Sequence, residues 1–82
     1  NIPKLAVFTT EEGIKRIKNF FGKLSDWKNI NELVPLNFAS SKDLKRTGKA
    51  GILSGTLELV KEGNISIKQK KLFDDIFIKE NK

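Results

Sequence analysis

Apolar and polar positions along the chain follow a helical period first and an alternating one at the end. Ile14, Ile17, Phe21 and Leu24 recur at the spacing of an amphipathic helix, with Lys15, Arg16, Lys18 and Lys23 mostly on its other faces. Thr9-Thr10-Glu11-Glu12 just ahead has the form of a capping box, Thr9 capping the helix start and Glu12 reaching back to the Thr9 amide. The pattern predicts a first helix from about Thr10 to about Leu24, with Gly22 where it frays or stops. Ser25 to Lys28 is a short break, which Trp27 is expected to anchor against the core with its indole N–H at the edge. Asn29 can cap a short second helix carrying Ile30, Leu33 and Val34, ended by Pro35. Leu36 to Ala39 is then a connector with two apolar anchors, Leu36 and Phe38.

Ser40 or Ser41 opens a third helix, with Asp43 favourably placed in its first turn. Ile52, Leu53, Leu57, Leu59 and Val60 carry its apolar positions to Lys61 or Glu62, and Gly63 is the stop. Gly48, Gly51 and Gly55 fall at i, i+3 and i+7, each costing roughly 1 kcal/mol relative to alanine. Close approach of another backbone, that of helix one, is the structural reason expected. A phosphate-cradling loop is the functional alternative, but neither the spacing nor a following Lys-Ser/Thr fits one. The period then drops to two. Ile65 and Ile67, then Ile76 and Ile78, alternate with Asn64, Ser66, Lys68, Asp75, Phe77 and Lys79. These are two strands of a hairpin connected through Gln69 to Asp74. The four isoleucines form its core face, Phe77 points away, and Phe73 plugs the base. The expected fold class is α+β: a winged-helix (helix-turn-helix) domain, three helices closed by a C-terminal β-hairpin. Its domain boundaries are 1–8 for an extended lead-in, 9–79 for the winged helix and 80–82 for a tail.

Composition narrows the chemistry. With 82 residues, 38% hydrophobic and 32% charged, the chain suits one small globular domain and contains no run long enough for a membrane helix. Asn1-Ile2-Pro3-Lys4 has neither an initiator Met nor signal-peptide character, and is expected to be a cut within a longer chain. Cysteine and histidine are absent, so disulfides, Cys/His zinc sites and catalysis by a Cys or His nucleophile or base are excluded. The carboxylate pairs Glu11/Glu12 and Asp74/Asp75 are sequence neighbours, a poor arrangement for an acid–base dyad, and Asp74 and Asp75 with Glu80 could bind a cation weakly but lack the ligand count of a calcium loop. No enzymatic activity and no cofactor is expected. The net charge of +6 comes from sixteen basic residues, all but Arg16 and Arg46 being lysine. One reading is a solvated surface; the other is a site for nucleic acid or an acidic protein face. Lys42, Lys45, Arg46 and Lys49, early in the third helix, are candidate DNA-phosphate contacts, but with one Arg and no Asn or Gln they suit weak, non-specific binding.

The stretch Leu57-Glu58-Leu59-Val60-Lys61-Glu62-Gly63, then Ile65 to Gln69, then Phe73-Asp74-Asp75-Ile76-Phe77-Ile78, resembles the C-terminal winged-helix domain of the bacterial kleisin family, segregation and condensation protein A. Ala6 to Gly13, Asp26-Trp27-Lys28-Asn29-Ile30, Leu33-Val34-Pro35 and Arg46 extend the resemblance over nearly the whole chain. The chain departs from the family at Leu53, where Phe is usual, and at Gly13 and Gly55, where Ala is usual; these are smaller or looser core choices. The resemblance implies a C-terminal piece of an adaptor that docks on the cap of an SMC ATPase head. Elsewhere the full-length kleisin would hold the neck of the other SMC subunit and bind a second, ScpB-like subunit. It thereby closes a ring around DNA in chromosome condensation and segregation during the cell cycle. ATP and magnesium belong to the SMC head, and the implied location is cytoplasmic and nucleoid-associated, with no membrane partner. The candidate contacts to the head are Lys68, Gln69, Phe73, Asp75, Phe77 and Lys79, with Phe77 beside a sheet edge as the hot spot. The alternative reading is the winged-helix DNA-binding domain of a transcriptional regulator.

Overall fold

Local chemistry places the helix ends in the computed structural model, which describes residues 7–72 and 74–81. Thr9 Oγ1 accepts from the Glu12 amide at 3.1 Å while Glu12 Oε1 accepts from the Thr9 amide at 3.0 Å, so the expected capping box opens helix α1, Thr10–Lys18. The second long helix, α2, spans Lys42–Lys61. Its cap is Ser41, whose Oγ accepts from the Leu44 amide at 3.1 Å. It ends in a Schellman motif: the Gly63 amide donates to the Val60 carbonyl and the Asn64 amide to the Leu59 carbonyl, both at 3.0 Å. Gly63 has φ +80°, which a residue with a Cβ adopts only with strain.

Helix α1 stops at Lys18, short of the expected Leu24. The next residues form tight i→i−3 turns, Phe20 to Ile17, Phe21 to Lys18 and Lys23 to Phe20, and Gly22 reverses the chain at φ +92°. That reversal carries Leu24 into the core, where it is fully buried. The expected second α-helix is also absent. Ile30–Leu33 and Leu36–Phe38 are short 3-10 helices instead. The first starts where Asn29 Oδ1 accepts from the Asn31 amide at 2.9 Å. It cannot lengthen because Val34 precedes Pro35 and is therefore extended, at ψ 127°. Ile30, Leu33 and Phe38 still point into the core, whereas Leu36, expected as an anchor, is 89% exposed.

The sheet has one strand more than the expected hairpin. Strand β1 (Lys28–Asn29), in the predicted break, pairs antiparallel with β3 (Ile76–Glu80), which also pairs with β2 (Ile65–Gln69). The order β1-β3-β2 makes β3 central. The described residues thus form an α+β domain with two α-helices and a three-stranded antiparallel sheet, and this corrects the expected three helices and two strands. Ile65 and Ile78 are buried and Ile76 is half-buried, as expected of the core face, but Ile67 is 38% exposed. It lies on the edge strand β2. Strand β3 runs one residue past the expected boundary at 79, and its end is tied to the rest of the fold. The Glu80 amide donates to the Leu24 carbonyl at 2.9 Å, its Oε1 accepts from the Gly22 amide at 2.8 Å, and the Asn81 amide donates to the Asn64 carbonyl at 2.9 Å. At the other end most of the expected lead-in lies outside the described residues, but Phe8 packs on Phe38 with ring centroids 5.1 Å apart.

The two helices cross at glycines. A methyl group on Gly13 would collide with the Gly51 carbonyl oxygen, and one on Gly55 would lie 2.7 Å from the backbone at Gly13 and Ile14. Close approach to α1 is therefore the reason for Gly55, as expected. Gly48 instead makes room for Val34 and Phe38, and Gly51 also for Phe8. Gly13 and Gly55 are not loose core choices: no larger residue fits there without moving a backbone. Around the crossing, Ile17, Ile30, Leu33, Ile52, Leu59 and Ile78 are fully buried.

Two stability changes follow. In an exposed helix Gly→Ala stabilises by up to about 1 kcal/mol, but Gly55→Ala is expected to destabilise by about 1–3 kcal/mol through overpacking. Urea unfolding followed by circular dichroism gives the sign. Thr56 is fully buried and its Oγ1 has no hydrogen-bond partner among the described residues. Thr56→Val, which keeps the shape and removes the unpaired hydroxyl, is expected to raise stability by about 1 kcal/mol in the same experiment.

Candidate functional site

Alternation in the sheet sorts the predicted contacts onto different faces. The register aligns Asn29 with Phe77, Phe77 with Lys68, and Lys79 with Ser66. These residues share the face away from Ile78, which is the buried side. Phe77 is half-buried there, in the middle of the sheet and not beside an edge, because β1 covers the side that a bare hairpin would leave open. Trp27, one step before β1, lies on this outer face too. Lys68 Nζ sits 4.5 Å and Lys79 Nζ 5.6 Å from the centroid of its ring. Trp27 thus does not anchor the break in the core; it forms a half-exposed aromatic platform roofed by two ammonium groups. Sequence reasoning missed this role because a two-residue strand is too short to show a period.

The remaining predicted head contacts do not join this face. Gln69 belongs to the Ile65 and Ile67 side of β2, and its Nε2 donates to the Asp74 carbonyl at 2.7 Å, closing the hairpin connection. Asp75 is exposed just ahead of β3, its amide donating to Asp74 Oδ1 at 2.9 Å. Phe73, expected both as a plug and as a contact, lies outside the described residues. The structure therefore brings together Lys68, Phe77 and Lys79 and adds Trp27.

The four basic residues of α2 form a second surface. Lys42, Lys45, Arg46 and Lys49 are all exposed on one stripe of the helix, and none has an ionic partner among the described residues. Lys45, Arg46 and Lys49 line a groove of about 720 Å³ against the 3-10 segments; Lys42 lies outside it. Val34, Leu36 and Ala39 give the groove an apolar part, and Asn31 and Glu32 stand at its other side. Arg16, the other arginine, is structural: its Nε donates to the Leu33 carbonyl at 2.8 Å and its guanidinium lies 5.2 Å from the Phe20 ring centroid. The described residues contain no cluster of three or more acidic side chains able to hold a metal ion, and no helix long and apolar enough to cross a membrane.

No protein-family model matches the chain, and neither does any curated protein or solved structure.

Trp27 is the only tryptophan, so its fluorescence reports on the outer sheet face alone. Replacing Lys68 and Lys79 together by Ala is expected to increase acrylamide quenching of Trp27. Each cation–π contact at such an exposed site is worth about 0.5–1 kcal/mol, so the fold should survive and far-ultraviolet circular dichroism should be unchanged.

Proposed function

We propose that this domain is a kleisin-type adaptor that docks on the cap of an SMC ATPase head, helping to close the SMC–kleisin ring in chromosome condensation and segregation. In this reading the fold is a winged helix in which the two 3-10 segments stand in place of the middle helix. Helix, short helical segment, long helix and hairpin follow in the expected order. The chain acts as an adaptor and not as an enzyme. A full-length protein carrying it would also bind a second, ScpB-like subunit, and would work in the cytoplasm at the nucleoid.

The observation that carries the reading is the outer sheet face. Trp27 and Phe77 are held half-exposed on a rigid surface, with Lys68 and Lys79 beside them. Aromatic side chains fixed by a sheet lose little conformational entropy on binding, and such residues dominate protein interfaces. Because Phe77 is on the central strand, docking here proceeds through side chains; strand addition would have to use an outer edge, that of β1 or of β2. The exposed basic stripe on α2 favours a second reading, a DNA-binding domain of a transcriptional regulator. Its lysines suit phosphates more than base edges, so at most weak and non-specific DNA binding belongs with the adaptor.

Phe77→Lys is expected to weaken binding to the cognate SMC head by roughly 30-fold or more, a loss of about 2 kcal/mol. The fold should remain intact, because Phe77 alternates away from Ile78. Ile78→Lys should unfold the domain instead, since it places an unpaired charge in a fully buried position. A head-binding titration with circular dichroism on both variants decides. Unchanged head binding by a folded Phe77→Lys variant removes the outer face as the docking site. Tight, sequence-selective DNA binding at about 150 mM salt, where charges are screened within about 8 Å, favours the regulator.

A further inference from the structure

We propose that the groove between the 3-10 segments and the first half of α2 is a second docking site, separate from the sheet face, and that it takes an acidic peptide segment of a partner protein carrying an apolar anchor side chain. Three properties meet there. The groove volume, about 720 Å³, admits a few side chains of an extended or helical segment but not a folded domain. Its positive wall is Lys45, Arg46 and Lys49, which are exposed and have no ionic partner among the described residues. Its apolar part includes Leu36, which the short 3-10 helix Leu36–Phe38 turns out to water at 89% exposure while Phe38 turns inward.

Charge selects the occupant. Glu32 is the acidic residue lining the groove, and it is held 3.7 Å from Lys28 Nζ, so its charge is offset from outside. The groove is left with a net positive field, and Arg46 supplies a planar fork suited to a carboxylate. A nucleic-acid backbone satisfies the cations but has no apolar group to cover Leu36. An acidic segment with a leucine or phenylalanine satisfies both, its anchor against Val34, Leu36 and Ala39 and its carboxylates on the basic wall. The placement of these residues on one helix face and one pair of 3-10 turns needs no rearrangement to accept it.

The test is an amide-resolved NMR titration of the isotope-labelled domain at about 150 mM salt, where charge alone is screened within about 8 Å. The probe is a short synthetic peptide with one Leu-Phe pair set among Asp and Glu residues. Saturable shifts are expected at Leu36, Lys45, Arg46 and Lys49 and not at Lys68 or Phe77. Leu36→Ser and Arg46→Glu, both at exposed positions, should each weaken binding about tenfold, as should replacing the peptide's Leu-Phe by Ser-Ser. The Phe77→Lys variant should bind the peptide as the parent does, so failure of the sheet-face docking and failure of this site are told apart. Three results overturn the proposal: no saturable shift up to about millimolar peptide, binding indifferent to both Leu36→Ser and the Ser-Ser peptide, or shifts centred on the sheet face. A duplex DNA that produces the same shifts, with affinity independent of Leu36, makes the groove wall a phosphate surface instead.

Discussion

The rest of the structure hangs on the place where α1 and α2 touch backbone to backbone. Gly13 meets Gly51 and Gly55 so closely that a methyl group at Gly13 or Gly55 would strike the other helix. Helices normally pack about 8–10 Å apart, held off by their side chains; removing the side chains at the crossing lets these two come closer. The approach brings Ile17 of the short helix and Ile52 and Leu59 of the long one into one buried cluster. It also accounts for glycines in a helix interior, where they otherwise weaken the helix. Their cost is offset by the contact they permit.

The sheet depends on that crossing through its ends. Once the turn at Gly22 delivers Leu24 to the core, the Leu24 carbonyl and the Gly22 amide bind the two ends of Glu80, and β3 is held beside the end of the first helical segment. Strand β1 then closes the side of β3 that β2 leaves open. One consequence is structural: the central strand is satisfied on both sides, and edge-on pairing is confined to β1 and to β2, whose Lys68 tempers it. The other is functional. Phe77 becomes the centre of a flat face whose neighbours are set by register, with Trp27 on the same face under Lys68 and Lys79.

The two surfaces are built differently. The sheet face is rigid because every strand residue is fixed by pairing. The groove is open because two 3-10 turns cannot cover the helix as a full α-helix would. Pro35 is the reason: it forces Val34 out of the helical region, splits the segment, and lets Leu36 face water beside Lys45, Arg46 and Lys49. A single proline thus produces both the loss of the expected helix and the groove that replaces it.

The residues alone determined whatever depends on near neighbours in the chain. The capping box at Thr9 and Glu12, the cap at Ser41, the stop at Gly63, the long helix between them and the hairpin strands are all interactions within a few residues, and periodicity or side-chain chemistry reports them directly. The close helix approach at Gly55 was legible for the same reason, because a glycine in a helix interior calls for a neighbour. Of the candidate contacts, alternation put Phe77 and Lys79 on one face of their strand, and only the register sets Lys68 beside Phe77. What only the tertiary structure decided depends on distant pairings. Lys28 and Asn29 are extended because β3, some fifty residues later, offers them partners, and no local pattern carries that information. The same pairing moves Trp27 from the core to the outer face and Phe77 from beside an edge to the centre. Leu36 is exposed and Ile67 half-uncovered because coverage by another element, and not hydrophobicity, decides burial once the core is full.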